Sequence, residues 1–176
     1  MKGVAGVTLG LVLVLTAGCA PQPEPVESEE PFATEEEAFA AAEETYRNYV
    51  DALNAVDLSD PETFEPVYEW TTGDAYASSR ESFSQMFADN WSVTGATAFD
   101  SFTPIDFTPT GEIERVIADL CLDVTSVDVK NAEGDSVVPE TRADRQPVRV
   151  SFSAADAATG LKISESTAID SPICDS

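Results

Sequence analysis

Residues 34–56 read TEEEAFAAAEETYRNYVDALNAV, and they form the first layer of the predicted fold. Thr34 followed three places later by Glu37 is a capping-box signature, and the acidic residues between them suit the positive end of a helix dipole. Apolar side chains then recur at spacings of three and four residues, which predicts one long amphipathic helix that packs on another layer. The apolar stripe consists of Phe39, Ala42, Tyr46, Tyr49, Val50, Leu53 and Val56.

Two shorter helices are predicted directly after the first. Asp60 and Pro61 are an N-cap and a first-turn proline, and Gly73 is expected to close the helix that they begin. Asp74 is then expected to cap a third helix that ends near Asn90. The expected buried sides are Phe64, Val67 and Tyr68 in the second helix, and Tyr76, Ser79, Arg80, Phe83, Met86 and Phe87 in the third.

From Trp91 onward the apolar pattern alternates in twos, which is typical of β-strands. One or two strands are predicted over residues 93–108, broken by Gly95 and Pro104. A long central strand follows over residues 116–129, with a bulge near Thr125 or Ser126 because the apolar face shifts there. A turn at residues 131–135 precedes two more predicted strands. The apolar face of the first consists of Val148, Val150, Phe152 and Ala154. The apolar face of the second consists of Leu161, Ile163, Thr167 and Ile169, with the charged Glu165 between them.

Helices first and strands last predict an α+β fold, with N-terminal helices packed on one face of a bent antiparallel sheet. Across residues 34–170 this order of elements resembles the cystatin-like roll of the NTF2-like group. The resemblance implies a cone-shaped pocket between sheet and helices, in which some members use a carboxylate as a general base.

Asp100, Asp119 and Tyr46 are the candidate catalytic residues, because an aspartate base beside a tyrosine donor suits proton abstraction next to a carbonyl. Asp119 lies on the strand side opposite the most apolar one, so simple solvent exposure is the competing interpretation. Further members of this candidate set are Asp106, Asp123, Tyr49, Tyr68 and Tyr76.

The amino-acid composition excludes several classes of function. The absence of histidine excludes Ser-His-Asp triads, Cys-His dyads and histidine-ligated zinc. The 33 acidic residues against 9 basic ones exclude nucleic acid as a partner. Acidic and amide side chains around the turn at residues 131–135 suggest a calcium site, but their spacing is not that of an EF-hand loop. Solvent-exposed acids of an ordinary turn are therefore the favoured interpretation, and no metal or cofactor is predicted. These side chains are Asp128, Asn131, Glu133 and Asp135.

The N-terminus has the features of an export signal. Lys2 supplies a positive charge, and residues 4–15 form an apolar segment too short for a comfortable transmembrane helix. The sequence LTAGC at residues 15–19 resembles the lipobox of bacterial lipoprotein precursors, with Thr16 where a larger aliphatic residue is usual. The resemblance implies cleavage between Gly18 and Cys19 and a diacylglyceryl group on Cys19, with palmitate among its acyl chains. Alternatively, Cys19 follows an ordinary signal-peptidase site or lies in an uncleaved anchor.

Three segments are therefore predicted: a signal peptide at residues 1–18, a Pro/Glu-rich tether at residues 19–33, and one α+β domain at residues 34–176. The composition also resembles that of small exported lipoproteins of GC-rich Gram-positive bacteria. In an oxidising compartment the two remaining cysteines, Cys121 and Cys174, are expected to form a disulfide, and the rival reactive thiol has no histidine to activate it.

The first functional hypothesis is a lipid-anchored, non-enzymatic binding or interaction domain outside the cytoplasmic membrane, with an envelope protein or a small ligand as its partner. The alternative is a small-molecule enzyme of isomerase or dehydratase type that uses a buried aspartate as general base. A third hypothesis, an accessory subunit of an envelope complex, predicts an exposed apolar patch.

Overall fold

The computed structural model describes residues 32–109 and 115–175. The predicted signal peptide, the cleavage site at Gly18 and Cys19, and almost all of the tether lie outside the described residues. Phe32, which the sequence pattern assigns to the end of the tether, is buried and packs in the main core.

Helix α1 spans Glu35–Asn54 and begins with the predicted capping box. The Thr34 hydroxyl accepts the Glu37 N–H at 3.1 Å, and the Glu37 carboxylate accepts the Ala33 N–H at 3.0 Å. The bond to Thr34 satisfies a backbone donor of the first turn, and the bond from Ala33 ties the residue before the cap to the helix. The helix buries Ala38, Ala42, Thr45, Tyr46 and Val50.

The second predicted helix is two short pieces, a 3-10 turn at Pro61–Phe64 and helix α2 at Glu65–Glu69. Asp60 caps the turn as expected, with its carboxylate accepting the Glu62 N–H at 3.1 Å. Helix α3 spans Gly73–Ala88, so the expectation that Gly73 closes the second helix and Asp74 caps the third is wrong. Thr72 holds the cap position, because its N–H is bonded to the Ile163 carbonyl at 2.8 Å.

The described residues form six strands. Four of them make an antiparallel sheet in the order β2-β3-β5-β6, and β1 and β4 pair separately as a two-stranded ribbon. A 3-10 turn at Pro172–Cys174 follows the last strand. The strands are β1 (Ser92–Thr94), β2 (Ala98–Thr108), β3 (Arg115–Asp123), β4 (Asp128–Lys130), β5 (Arg145–Ala154) and β6 (Leu161–Ala168).

The predicted long central strand is wrong, because β3 ends at Asp123 and the chain turns before β4. The Val127 N–H donates to the Val124 carbonyl at 3.0 Å, which closes that turn. Arg142 donates to the carbonyls of both valines at 2.9 Å. Gly95 lies against the turn so closely that a Cβ there would meet the Ser126 carbonyl oxygen at 1.8 Å.

Pro104 does not break β2, contrary to the sequence expectation. It lies within the strand between two register shifts. Because β2 is an edge strand, a residue without an N–H is tolerated there.

Strand β6 contains a bulge that the alternating pattern did not show. Phe152 pairs with Ile163 but Ser151 pairs with Glu165, so Ser164 is an extra residue. After the bulge, Thr167 pairs with Arg149 rather than with a core residue, and the prediction that it continues the face of Leu161 and Ile163 is wrong.

The main core lies between α1 and one face of the four-stranded sheet. The sheet contributes fully buried side chains from three strands: Val116, Ala118, Leu120, Val150, Phe152 and Leu161. A smaller cluster joins the short helices to α3 through Leu58, Phe64, Val67 and Phe83. Within residues 32–109 and 115–175, no helix is both long and apolar enough to cross a membrane. The observed architecture is the predicted α+β class, with helices packed on an antiparallel sheet.

Candidate functional site

A cleft of about 350 Å³ opens between α1, α3 and the end of β6. Its position corresponds to the pocket that the sequence resemblance implies between helices and sheet. The wall from α1 is aromatic and apolar, the wall from α3 is small and polar, and β6 contributes hydroxyls and a carboxylate. The lining residues are Tyr46, Tyr49, Leu53, Thr71, Asp74, Ala75, Ser78, Ser79, Leu122, Ile163, Glu165, Ser166 and Thr167.

Main-chain pairing between the helical layer and β6 positions two walls of the cleft. The Ile163 N–H donates to the Trp70 carbonyl at 2.9 Å, and Thr71 bridges to Ile163 in parallel. This pairing holds the first turn of α3 against β6, and the bulge at Ser164 follows directly. Asp74 from α3 and Glu165 from β6 therefore line the same opening.

Tyr46 and Thr71 are the two buried polar residues of the cleft wall, each with 3% of its surface exposed. The Tyr46 ring packs edge-on against Phe99 at 4.8 Å between centroids and lies 5.7 Å from the ring of Tyr49. Burial, with a smaller contribution from Tyr49, raises the pKa of the Tyr46 hydroxyl far above its ordinary value. No hydrogen-bond partner of that hydroxyl is found in the described part of the chain. Because of its raised pKa the hydroxyl is neutral at physiological pH, and the residue lines the cleft.

The two predicted aspartates lie on the opposite face of the sheet from Tyr46. Asp119 has the strand parity of Cys121, as the sequence indicates, yet only 7% of its surface is exposed. Arg149 covers it and donates to its two carboxylate oxygens at 2.7 and 2.9 Å. The structure therefore explains Asp119 as half of an ion pair and does not place it beside a tyrosine hydroxyl.

Asp100 has a similar partner on the same outer face. Arg145 donates to both of its carboxylate oxygens at 3.0 Å, and this hydrogen bonding holds the pKa of Asp100 below its usual range. Arg145 also reaches Asp123 at 3.5 Å. The pKa of Asp123 is lowered chiefly by hydrogen bonding from Thr125.

The other members of the candidate set are dispersed. Asp106 is exposed on β2 and pairs with Ile117 in the sheet. Tyr68 and Tyr76 contact each other at 5.6 Å between ring centroids, and Arg80 lies over both rings. Of all the residues selected from the sequence for this chemistry, the cleft contains Tyr46 and Tyr49.

Sequence reasoning missed the two acidic residues that line the cleft, Asp74 and Glu165. Glu165 carried a visible signal, since it is the charged interruption in an otherwise apolar strand pattern. Asp74 carried none, because an acid in the first turn of a helix is explained by the helix dipole alone.

The turn at residues 131–135 is held by its own hydrogen bonds. Asn131 accepts the N–H groups of Glu133 and Asp135 through its side-chain oxygen at 3.1 and 2.9 Å. Asp128 accepts the Ser136 hydroxyl at 2.6 Å and lies 3.8 Å from the Lys130 ammonium. No group of three or more potential metal ligands occurs within residues 32–109 and 115–175.

Cys121 and Cys174 are joined at bonding distance, as the sequence predicts, with their sulfurs 2.03 Å apart. The bond attaches the C-terminal 3-10 turn to the outer face of β3, beside the ion pairs of Arg145. The Arg145 Nε donates to the Cys174 carbonyl at 3.3 Å, which adds a second attachment at the same point.

No protein-family model matches this chain, and no curated protein matches it. Solved structures are similar in fold. The intermembrane space region of the chloroplast protein ARC6 is 15% identical, with a TM-score of 0.50 over 75% of this chain and 96% of that one. An NTF2-like protein of unknown function from Exiguobacterium sp. is also 15% identical, with a TM-score of 0.32 over 71% and 96% of the two chains. The VirB8 protein of Agrobacterium tumefaciens is 9% identical, with a TM-score of 0.38 over 78% and 95%. At these identities the likeness extends to the fold alone, which is an α+β arrangement of helices on an antiparallel sheet.

Proposed function

We propose that this chain is a lipid-anchored binding protein of the cell envelope, held outside the cytoplasmic membrane by Cys19, and that its cleft binds a small ligand. The lipobox-like sequence at residues 15–19 and the acidic tether support the location. The observation that carries the binding function is an open cleft of about 350 Å³ between helices and sheet, with the nearly buried side chains of Tyr46 and Thr71 in its wall.

The composition of the cleft suits a ligand site. Small-molecule sites are typically concave spaces of about 300–1,000 Å³ with apolar walls and a few converging polar groups. Here Leu53, Leu122 and Ile163 are apolar, and the polar groups come from α1, α3 and β6. The side chain of Tyr46 forms no hydrogen bond within residues 32–109 and 115–175, so its hydroxyl is available to a ligand that enters the cleft.

The enzymatic alternative receives less support from the site. It requires a buried aspartate beside a tyrosine hydroxyl, whereas Asp100 and Asp119 lie across the sheet from Tyr46 and are bonded to arginines. The carboxylates that line the cleft, on Asp74 and Glu165, are exposed. Binding is therefore the function that the geometry favours.

A cleft-filling variant tests the proposal. We expect at least one member of a set of cationic, neutral and anionic small molecules to raise the unfolding temperature of the full mature chain in non-ionic detergent. The same molecule should have no effect on Ser78→Trp, because the indole occupies the cleft from the α3 side. Differential scanning fluorimetry followed by titration calorimetry measures both effects.

Ser84→Trp is the matched control, since Ser84 is an exposed α3 residue that does not line the cleft. It should respond as the wild type does. The proposal fails if no molecule of any charge class stabilises the wild type, or if the stabilising molecules act equally on Ser78→Trp.

A further inference from the structure

Strand β6 is an edge of the four-stranded sheet, and its two halves differ in what lies beside them. The segment that leads into α3 runs beside the first half. There the Ile163 N–H donates to the Trp70 carbonyl at 2.9 Å, and the Thr72 N–H donates to the Ile163 carbonyl at 2.8 Å. Beyond the bulge at Ser164, residues 165–168 are exposed, and no strand of the described chain pairs with their outer side. The sheet therefore ends there in an open edge.

The outward backbone groups of this open edge belong to Ser166 and Ala168. In an antiparallel pair, residues alternate between bonding to the neighbouring strand and facing away from it. The Ile169 N–H donates to the Pro147 carbonyl of β5 at 3.0 Å, so Thr167, two places earlier, also bonds to β5. Ser166 and Ala168 therefore turn their N–H and carbonyl groups away from β5. Within residues 32–109 and 115–175 these groups have no hydrogen-bond partner.

The opposite edge of the sheet, strand β2, is protected against pairing. It contains Pro104, which has no N–H, and two register shifts interrupt its ladder with β3. Ser101 adds a left-handed backbone conformation, with φ of 56°. Such features are common devices that keep an edge from pairing with another chain. Residues 165–168 contain no proline and follow the bulge of β6, so they are able to accept a further strand.

The cleft lies along the same open edge. Ser166 pairs with Val150, which is buried in the core under α1, so the helix side of the sheet is also the side of the Ser166 side chain. A strand added beside β6 would place every second side chain on that side. Leu53, Leu122 and Ile163 line the cleft there, and its volume of about 350 Å³ is sufficient for an apolar side chain.

The charge and size of the site favour one kind of occupant. The net charge of −24 attracts basic partners and repels acidic ones. A second copy of this chain carries the same charge, and residues 165–168 offer far less area than the roughly 1,200 Å² that stable protein interfaces bury. A short peptide needs only main-chain bonds to an edge and a pocket for alternate side chains.

We propose that the open edge of β6 binds a short extended peptide by strand addition, with an apolar side chain in the cleft and basic side chains next to it. The backbone groups of Ser166 and Ala168 hold the peptide, and the cleft selects the apolar side chain. The inference rests on the proposed function and specifies its ligand class.

N-methylated peptides test the main-chain bonds. The probe is the acetylated and amidated pentapeptide Lys-Val-Lys-Val-Lys, titrated by calorimetry into the full mature chain in non-ionic detergent. One N-methylated form carries the methyl groups on both valines, and the other carries them on the second and third lysines. Because alternate N–H groups of an added strand face its neighbour, we expect one form to bind at least about tenfold more weakly than the parent and the other to bind within about threefold of it.

A proline variant tests the edge itself. Ser166→Pro replaces an N–H that faces away from β5, a position at which edge strands tolerate proline. It should weaken peptide binding at least about tenfold, whereas Ser166→Ala, which keeps the N–H, should change binding less than about twofold. Far-UV circular dichroism and the unfolding temperature are measured for both variants. Ala168→Pro, with Ala168→Ser as its control, replaces this pair if Ser166→Pro does not fold.

The corresponding acidic peptide, Glu-Val-Glu-Val-Glu, tests the charge of the ligand. We expect it to bind at least about tenfold more weakly than the basic peptide, and the difference should shrink as the ionic strength rises. Equal binding of the two peptides at low ionic strength would contradict the predicted ligand class.

The inference is overturned if the basic peptide does not bind, if the two N-methylated forms bind equally, or if a folded Ser166→Pro binds the peptide as Ser166→Ala does. A dimer of the chain that Ser166→Pro disrupts would assign the edge to a second copy and would also overturn it. If small molecules stabilise the wild type but not Ser78→Trp while the peptide fails to bind, the proposed function stands and this inference alone fails. Absence of any cleft-dependent ligand would refute both.

Discussion

Arg145 is the residue that connects the outer sheet face to the C-terminus. Its guanidinium contacts Asp100 on β2, Asp123 at the end of β3 and the carbonyl of Cys174. Hydrogen bonding to Arg145, followed by that from Ser101, lowers the pKa of Asp100. The contacts and the lowered pKa both result from the position of the Arg145 guanidinium between carboxylates on adjacent strands.

The depressed pKa of Asp100 predicts an acid dependence of stability. A carboxyl group whose pKa is lower in the folded state than in the unfolded state stabilises the folded state when the pH is above the unfolded pKa, which is near 3.8 for aspartate. This stabilisation is lost as the pH falls through the lower pKa of the folded state. We therefore expect the free energy of unfolding of the wild type to decrease below about pH 4. The variant Asp100→Asn should show a smaller decrease and should be less stable than the wild type at neutral pH.

Urea denaturation of both proteins across this pH range measures the effect. Asp156→Asn is the control, because Asp156 is exposed and no interaction of its carboxylate occurs in the described residues. Its profile should follow that of the wild type. Parallel profiles for Asp100→Asn and the wild type would contradict the prediction.

At the residue scale, the sequence identified the aromatic half of the cleft but not its acidic half. Tyr46 was predictable because it lies in a strong helical stripe that had to face the sheet. Asp119 could be assigned to a face by strand parity, but its partner could not, since Arg149 is 30 residues away. Pairing across strands depends on register, which alternation alone does not determine.

At the element scale, two of the three errors in the strands, those at the end of β3 and in β6, occur where a local backbone feature interrupts the alternation. The turn between β3 and β4 keeps an apolar pattern that mimics a continuing strand, and Arg142 stabilises it from a distant loop. The extra residue Ser164 in β6 shifts the remainder of the strand by one position. Helix α1, by contrast, was predictable with its cap because its signals are all local.

The C-terminal turn predicts a measurable effect of the disulfide. The bond closes a loop with a sequence separation of 53, and chain entropy gives about 4 kcal/mol of stabilisation for a loop of this length. We expect Cys174→Ser to reduce the free energy of unfolding by about 2–4 kcal/mol, measured by urea denaturation.

Reduction of the wild type supplies the control for this variant. Treatment with reductant should bring the wild type to the stability of Cys174→Ser and leave the variant itself unchanged. Alkylation without prior reduction should modify neither Cys121 nor Cys174 in the wild type. Two alkylated thiols under those conditions would refute the bond.

At the scale of the whole molecule, the order of helices before strands was sufficient to predict the α+β class. The cleft was not predictable in the same way. It exists because α3 is fixed to the edge of β6 by main-chain bonds at residues 70–72, and α1 covers only part of the sheet. The spacing between layers is a tertiary property that no periodicity encodes.

The strongly negative domain is expected to stand away from anionic lipid headgroups, so the proposed membrane attachment requires lipidation of Cys19. We predict that a palmitate analogue labels the wild type in cells and that Cys19→Ser abolishes the label and releases or misprocesses the protein. Two acyl chains on Cys19 suffice for stable anchoring, whereas an exported chain without them has no such anchor. Cys174→Ser is the matched control, because it removes a different cysteine and should keep both the label and the membrane association. An unlabelled wild type, or a Cys19→Ser variant that keeps both the label and the membrane association, would show that Cys19 is not the anchor.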